Sequence, residues 1–171
     1  HAVAYSDKNE LSGKYLNTTR KNFLKTLHIS AYSLTEMVSM LSPKMNDGAS
    51  IMALTYYGST RYMQSYNVMG VAKAALETSI KYLAVDMGDR GIRVNAISAG
   101  PMRTLAGAVI NKSRKIYNYT IENSPIKKPL SLEDIGKSSV YLMSDLSKGV
   151  TGEILYVDNG YNNVGMSVQE L

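Results

Sequence analysis

"ASIMALTYYGSTRYMQSYNVMGVAKAALETSIKYLAVDMGDRGIRVNAIS", residues 49–98, reads as strand, helix and strand in succession. "ASIMALT" at 49–55 follows the turn signal "NDG" at 46–48 and is almost wholly apolar, the pattern of a short strand buried between two helical layers. It predicts a central parallel strand. Residues 56–65 form a polar and aromatic loop, and Ser65 or Asn67 is a candidate cap for a helix running to about Met87, broken by Gly88 and Gly91. "IRVNAIS" at 92–98 is the next strand and leaves through the Gly-Pro loop of "AGPMRT". In open α/β sheets ligands bind beyond the carboxyl ends of the strands, so the loops after residues 55 and 98 are where a site is expected.

Working outward, the same alternation continues. "HAVAY" at 1–5 has strand character. A long helix is predicted over 16–41, with Asn17 or Thr18 as N-cap and Pro43 ending it. Two further helices are predicted at about 105–123 and 132–143, the second opened by Ser131 with Glu133 and Asp134 in its first turn. Glu153–Val157 reads as a strand, followed by a turn at Asp158–Gly160 and a tail. Strands alternating with helices predict an α/β fold with a parallel sheet.

Composition narrows the function classes. The chain has 171 residues with 44% apolar content, enough for one domain with a core. It has no cysteine and two isolated histidines, His1 and His28, so thiolate chemistry, disulfides and a His/Cys metal cluster are not expected. No apolar run long enough to span a membrane and no leader pattern is visible, which sets the cytoplasm as the expected compartment. The net charge of +5 suggests an acidic partner or ligand. Nucleic acid is not favoured, because the basic residues are dispersed and the 13 tyrosines fall at packing positions.

Tyr66 and Lys73 lie seven residues apart on one helix, which at about 100° per residue returns them to nearly the same face two turns on. One reading is a tyrosine at a helix entrance with a lysine snorkelling from the surface. The other is a paired acid and cation aimed at one ligand. Tyr56, just after the preceding strand, and the Gly100-Pro101 loop converge on the same strand ends. A phenol set against a carbonyl oxygen stabilises the negative charge that hydride addition develops there, and a neighbouring ammonium favours phenolate character while binding sugar hydroxyls.

In order and spacing, "TYYGSTRYMQSYNVMGVAK", "GIRVNAISAGPMRTLA" and "SDLSKGVTGEILYVDNGY" resemble the enoyl-acyl-carrier-protein reductases of bacterial fatty-acid synthesis, a branch of the short-chain dehydrogenase/reductase superfamily. The most specific element is Tyr56, nine residues, Tyr66, six residues, Lys73. Ordinary short-chain dehydrogenases place the lysine four residues after the tyrosine, where Gly70 stands here, and Met69 stands four before Lys73. The resemblance implies a doubly wound, Rossmann-like sheet, NADH as cofactor, an enoyl substrate carried on acyl carrier protein, and a homotetramer. It implies that Tyr66 hydrogen-bonds the thioester carbonyl, that Lys73 holds the nicotinamide ribose, and that Tyr56 is a second active-site tyrosine. It places Val3, Met102, Arg103, Thr104, Leu105 and Ala106 at the cofactor, and Ser6, Met69 and both tyrosines at the substrate. Ala4 stands where many members carry glycine.

The family's first strand and its glycine-rich, pyrophosphate-seating turn have no counterpart in this sequence. The expectation is therefore the C-terminal part of a single reductase domain, with an apolar sheet edge and part of the cofactor site supplied by chain that precedes "HAVAY". Two alternatives stay open: a reductase-like domain kept for binding without turnover, and another short-chain carbonyl reductase. Tyr57 and Tyr62 are expected to be loop packing, Met69 pocket wall or core, and Arg103 solvated. Arg114 and Lys115, in "NKSRK" at 111–115, are candidates for docking the acidic carrier.

Overall fold

The computed structural model describes residues 1–102 and 113–166. Three parallel strands, β1 (Ser50–Thr55), β2 (Arg93–Ala99) and β3 (Ile154–Val157), pair in the order β1-β2-β3, with Ala53 opposite Ala96 and Ile97 opposite Leu155. Between β1 and β2 runs the 20-residue helix α3 (Asn67–Asp86). It follows α1 (Arg20–Leu27) and α2 (Ser33–Leu41), and it precedes α4 (Ser113–Asn123) and α5 (Leu132–Met143). The α/β class and parallel sheet stand as expected, with helices on both faces.

Strand alternation sorts the core into two layers. Ala53, Val94 and Ala96 face Leu34, Val38, Leu76, Ile80 and Leu83 from α2 and α3. Met52, Leu54, Ile97 and Leu155 face Ile135 and Leu142 from α5. Ala53, Leu76, Ile80, Val94, Ala96 and Ile97 are fully buried, and burying each of the leucine, isoleucine and valine side chains among them contributes about 1.5–3 kcal/mol.

Several local expectations are corrected. In the three-stranded sheet of the described residues β2 is the middle strand, and residues 1–5 are not a regular strand although His1 bonds to β1. Along β1's outer side His1 pairs with the strand backbone, its nitrogen donating to Met52 O (2.5 Å) and its carbonyl accepting from Leu54 N (2.9 Å). The helix expected over 16–41 is two helices joined by one π turn, His28–Tyr32, and its cap is Thr19, whose hydroxyl accepts from Asn22 N (3.2 Å). Glu10 selects that position by accepting from both Thr19 N (2.8 Å) and Thr19 Oγ1 (2.9 Å). Neither Ser65 nor Asn67 caps α3, which opens at Tyr66 without a side-chain cap. Ser131 does cap α5, in a reciprocal box with Asp134.

Arg93, buried at the start of β2, closes the other end of α5. Its guanidinium donates to Leu142 O (2.8 Å), Ser144 O (3.1 Å), Val150 O (3.4 Å) and Ser147 Oγ (2.9 Å). A cation there satisfies carbonyls that the helix end leaves unpaired and complements its dipole.

Candidate active site

The site lies at the carboxyl end of β1. Tyr56 leaves the strand in extended backbone, and Tyr66 turns in at the mouth of α3 with both neighbours at positive φ, Ser65 at 61° and Asn67 at 33°. Non-glycine residues rarely adopt that region, and two of them beside one side chain mark a backbone bent to aim it. Asn67 Nδ2 donates to Glu10 O (3.1 Å), which ties this bend to the loop before α1. The two rings meet edge to face, centroids 4.9 Å apart at 69°. Leu11, Met69 and Ala72 complete their packing, so of the two expectations for Met69, pocket wall or core, it is core that the packing shows.

Two glycines allow Tyr66 to lie where it does. A Cβ on Gly58 would fall 2.5 Å from Tyr66 Cδ1, and a Cβ on Gly70 would fall 2.7 Å from Gly58 O. Gly70, the position four after Tyr66, is thus occupied by close backbone approach rather than by a functional side chain.

Lys73 is 7% exposed and donates from Nζ to Leu54 O (2.8 Å). Burial lowers its pKa to about 8, against the opposing pull of the Glu77 charge. Burial raises Tyr66 and Tyr56 well above the ordinary phenol value, Tyr56 and Glu77 adding to the effect at Tyr66. This differs from the expectation that the lysine charge favours a phenolate. With Lys73 held by the Leu54 carbonyl two turns along the helix, desolvation dominates at Tyr66, which stays a protonated hydrogen-bond donor at neutral pH.

Ser6 and the exposed Val3 and Ala4 lie on the segment before α1, held by a stripe of small polar side chains four residues apart on one helix face. Asn22 Oδ1 accepts from Asp7 N (3.0 Å), Thr26 Oγ1 donates to Ser6 Oγ (3.0 Å), and Ser30 Oγ accepts from Tyr5 N (2.9 Å) and donates to Tyr5 O (3.1 Å). Sequence reading missed this stripe, and its signal was the 22, 26, 30 spacing of polar residues among apolar ones. It also missed Glu77, 8% exposed and accepting from Thr55 Oγ1 (2.6 Å).

Met102 sits half-buried at the exit of β2, its side chain against the α5-side core. Arg103, Thr104, Leu105 and Ala106 lie outside the described residues, as does the start of the helix expected from about residue 105. Tyr57 packs edge to face on Tyr161 (5.7 Å), whereas Tyr62 is 83% exposed and does not pack. Arg114 and Lys115 are exposed on α4. Among the described residues there is no group of three or more metal-ligating side chains, and no helix is long and apolar enough to cross a membrane.

Parallel strands with helices on both faces, carrying paired phenols and a buried ammonium at the strand ends, define a Rossmann-like α/β protein with a polar strand-end site. Comparison with known proteins gives the family. The model described as "Enoyl-(Acyl carrier protein) reductase" matches residues 1–162, and the chain belongs to that family. It is 57% identical over 166 residues to enoyl-[acyl-carrier-protein] reductase [NADH] 1 of Rhizobium meliloti, covering 97% of this chain and 61% of that protein. Among solved structures, FabI from Candidatus Liberibacter asiaticus superposes with TM-score 0.94 at 56% identity, covering 98% of this chain and 65% of that one. The enoyl-acyl-carrier-protein reductase of Anaplasma phagocytophilum in complex with NAD does so with TM-score 0.93 at 53% identity, over 98% and 64%. The chain therefore spans a little under two thirds of the length of these relatives.

Proposed function

We propose that the protein containing this chain reduces the trans-2 double bond of an enoyl thioester carried on acyl carrier protein, using NADH. The observation that carries the reading is the Tyr56–Tyr66 pair packed at the end of β1, with Lys73 two turns below on the same helix. The names of the relatives at 57% and 56% identity support it.

The residues present suit a nicotinamide ribose. Lys73 spends one of its three donors on Leu54 O, which fixes the ammonium and leaves two N–H groups for vicinal hydroxyls. Val3 and Ala4, exposed on the segment that starts beside β1, and Met102, at the exit of β2, are the further residues assigned to the cofactor on family resemblance. A bound nicotinamide supplies the hydride. Tyr66, kept protonated by burial, donates its phenol hydrogen to the thioester carbonyl oxygen and stabilises the negative charge that gathers there. Tyr56 buttresses that ring edge to face and excludes water from it. Thr104 and its neighbours at 103–106 remain assigned to the cofactor on family resemblance.

Arg114 and Lys115, exposed on α4, dock the acidic carrier protein, and reversing both charges is expected to weaken activity on carrier-bound substrate more than on a free thioester. The protein acts in the cytoplasm as a homotetramer. Supporting self-association, α2 and α3 leave Met40 72%, Tyr82 72% and Val85 79% exposed. The site is tested in the full-length protein with Tyr66→Phe and Lys73→Ala. Tyr66→Phe should lower turnover of a crotonyl thioester by about 10²-fold with NADH binding retained, while Lys73→Ala should weaken NADH binding. Wild-type behaviour in both variants would remove the assignment.

A further inference from the structure

Glu77 is a carboxylate in a place where carboxylates are rarely left: 8% exposed, in the interior of α3, against the sheet. One turn before it on the same face is Lys73. The last two residues of β1 take one of this pair each. Leu54 offers its carbonyl to Lys73 Nζ (2.8 Å), and Thr55 donates its hydroxyl to Glu77 Oε1 (2.6 Å). Ser98, the register partner of Thr55 on β2, brings a second hydroxyl, buried and unpartnered, to the adjoining position.

Among the described residues the ion pairs are Arg90–Asp47, Lys137–Glu133 and Lys148–Asp145, so Lys73 and Glu77 do not close on each other. That separation is informative. A lysine bonded to both Leu54 O and Glu77 would have two of its three donors engaged, whereas one held by the single carbonyl, with a negative charge a helical turn away, keeps two N–H groups to offer. An uncompensated ammonium at this depth would lose its proton. The other groups facing Lys73 do not favour its charge. Tyr56 and Tyr66 are neutral phenols at physiological pH.

We propose that Glu77, braced by Thr55, is the counter-ion that keeps Lys73 charged at the end of β1, and is thus a positioning residue for cofactor binding. Its consequence for binding rests on Lys73 meeting the nicotinamide ribose, but its effect on Lys73 does not.

The experiment uses the full-length protein and two readouts. Pulse labelling with a lysine-reactive ester across about pH 6 to 10, followed by peptide mass spectrometry, gives the midpoint at which Lys73 becomes reactive. Glu77→Gln is expected to move that midpoint down by about one unit, Glu77→Asp to restore part of the difference, Thr55→Val to give a smaller fall and Thr55→Ser none. In parallel, NADH affinity in Glu77→Gln should fall by about tenfold at alkaline pH and by less in acid, where Lys73 is charged regardless. A packing role alone would lower stability and leave the midpoint in place, and that result overturns the proposal. Should Glu77→Gln not fold, Thr55→Val against Thr55→Ser decides by the same midpoint. A midpoint that moves in a protein whose wild type does not bind NADH upholds the role of Glu77 and overturns the reductase reading instead.

Discussion

The carbonyl oxygen of Gly58 occupies the space that a side chain at Gly70 would need: a Cβ there would lie 2.7 Å from it. Gly58 in turn abuts the Tyr66 ring, where a Cβ would fall 2.5 Å from Cδ1, so the loop after β1, the helix mouth and the Tyr66 phenol form one three-part contact.

Gly70→Ala is accordingly expected to cost about 1–3 kcal/mol of stability, although alanine is the better helix former, because backbone rather than a flexible side chain stands in the way. Turnover should fall with NADH affinity largely kept, since the clash falls on Gly58 O and the Tyr66 ring whereas Lys73 is held separately by Leu54 O. Denaturant unfolding and steady-state kinetics of the one variant check both halves. A Gly70→Ala protein as stable and as active as the wild type would show that the Gly58 loop yields freely.

Lys73 gives a stability prediction with a definite sign. Its folded pKa of about 8 lies below the ordinary 10.5, so between those values the unfolded chain holds a proton that the folded one has released. Stability from this group therefore rises with pH across that window, and below it the cost of the buried charge is fully present. Lys73→Met is expected to be more stable than wild type at pH 7, by on the order of 3 kcal/mol at most, and the advantage should shrink between pH 8 and 10.5. The raised tyrosines act later and oppositely, losing stability as pH rises above the ordinary phenol value of 10.0. Urea midpoints of the two proteins across this range test the sign.

Arg93→Met should destabilise by about 2–3 kcal/mol, because the carbonyls of Leu142, Ser144 and Val150 lose a shared donor in a buried setting. Arg93→Lys should recover less than half of this, since a point-like ammonium cannot serve three carbonyls spread over a fork. Thermal unfolding of the two variants checks the order.

Asn22→Ala should release the Asp7 amide and one side of Ser6, raising the KM for thioester several-fold while kcat changes little. The comparison is Asn22→Ala against Thr26→Val by steady-state kinetics, and a change confined to kcat in both would contradict the assignment of this stripe to the substrate side.

Much of the molecule was legible from pattern. "ASIMALT" and "IRVNAIS" carry the apolar runs of buried strands, and Tyr66 and Lys73 share a helix face by simple periodicity. What escaped depends on partners distant in sequence. Thr19 rather than Thr18 caps α1 because Glu10 reaches across from nine residues upstream. "HAVAY" has the composition of a strand, yet after His1, which bonds Met52 and Leu54 of β1, its backbone is taken by a side chain, Ser30 bonding both the amide and the carbonyl of Tyr5. Glu77 reads as an ordinary helix surface residue, and only its burial against Thr55 reveals otherwise. The Tyr66 phenol was expected to feel Lys73, yet its titration is governed by how deeply it is packed, a quantity that no spacing reports.

The grip of Asn22, Thr26 and Ser30 on residues 5–7 is made entirely by hydroxyl and amide groups, none of which gains or loses a proton in the physiological range. Charge reaches it only at its margins, where Asn22 Nδ2 also donates to the Glu10 carboxylate (3.3 Å) and Lys25 Nζ lies over the Tyr5 ring (4.3 Å). The hydroxyl and amide bonds on residues 5–7 are thus expected to hold while Lys73 passes from charged to neutral near pH 8, so a pH dependence of binding would report a change of charge inside a fixed mould rather than a change of the mould.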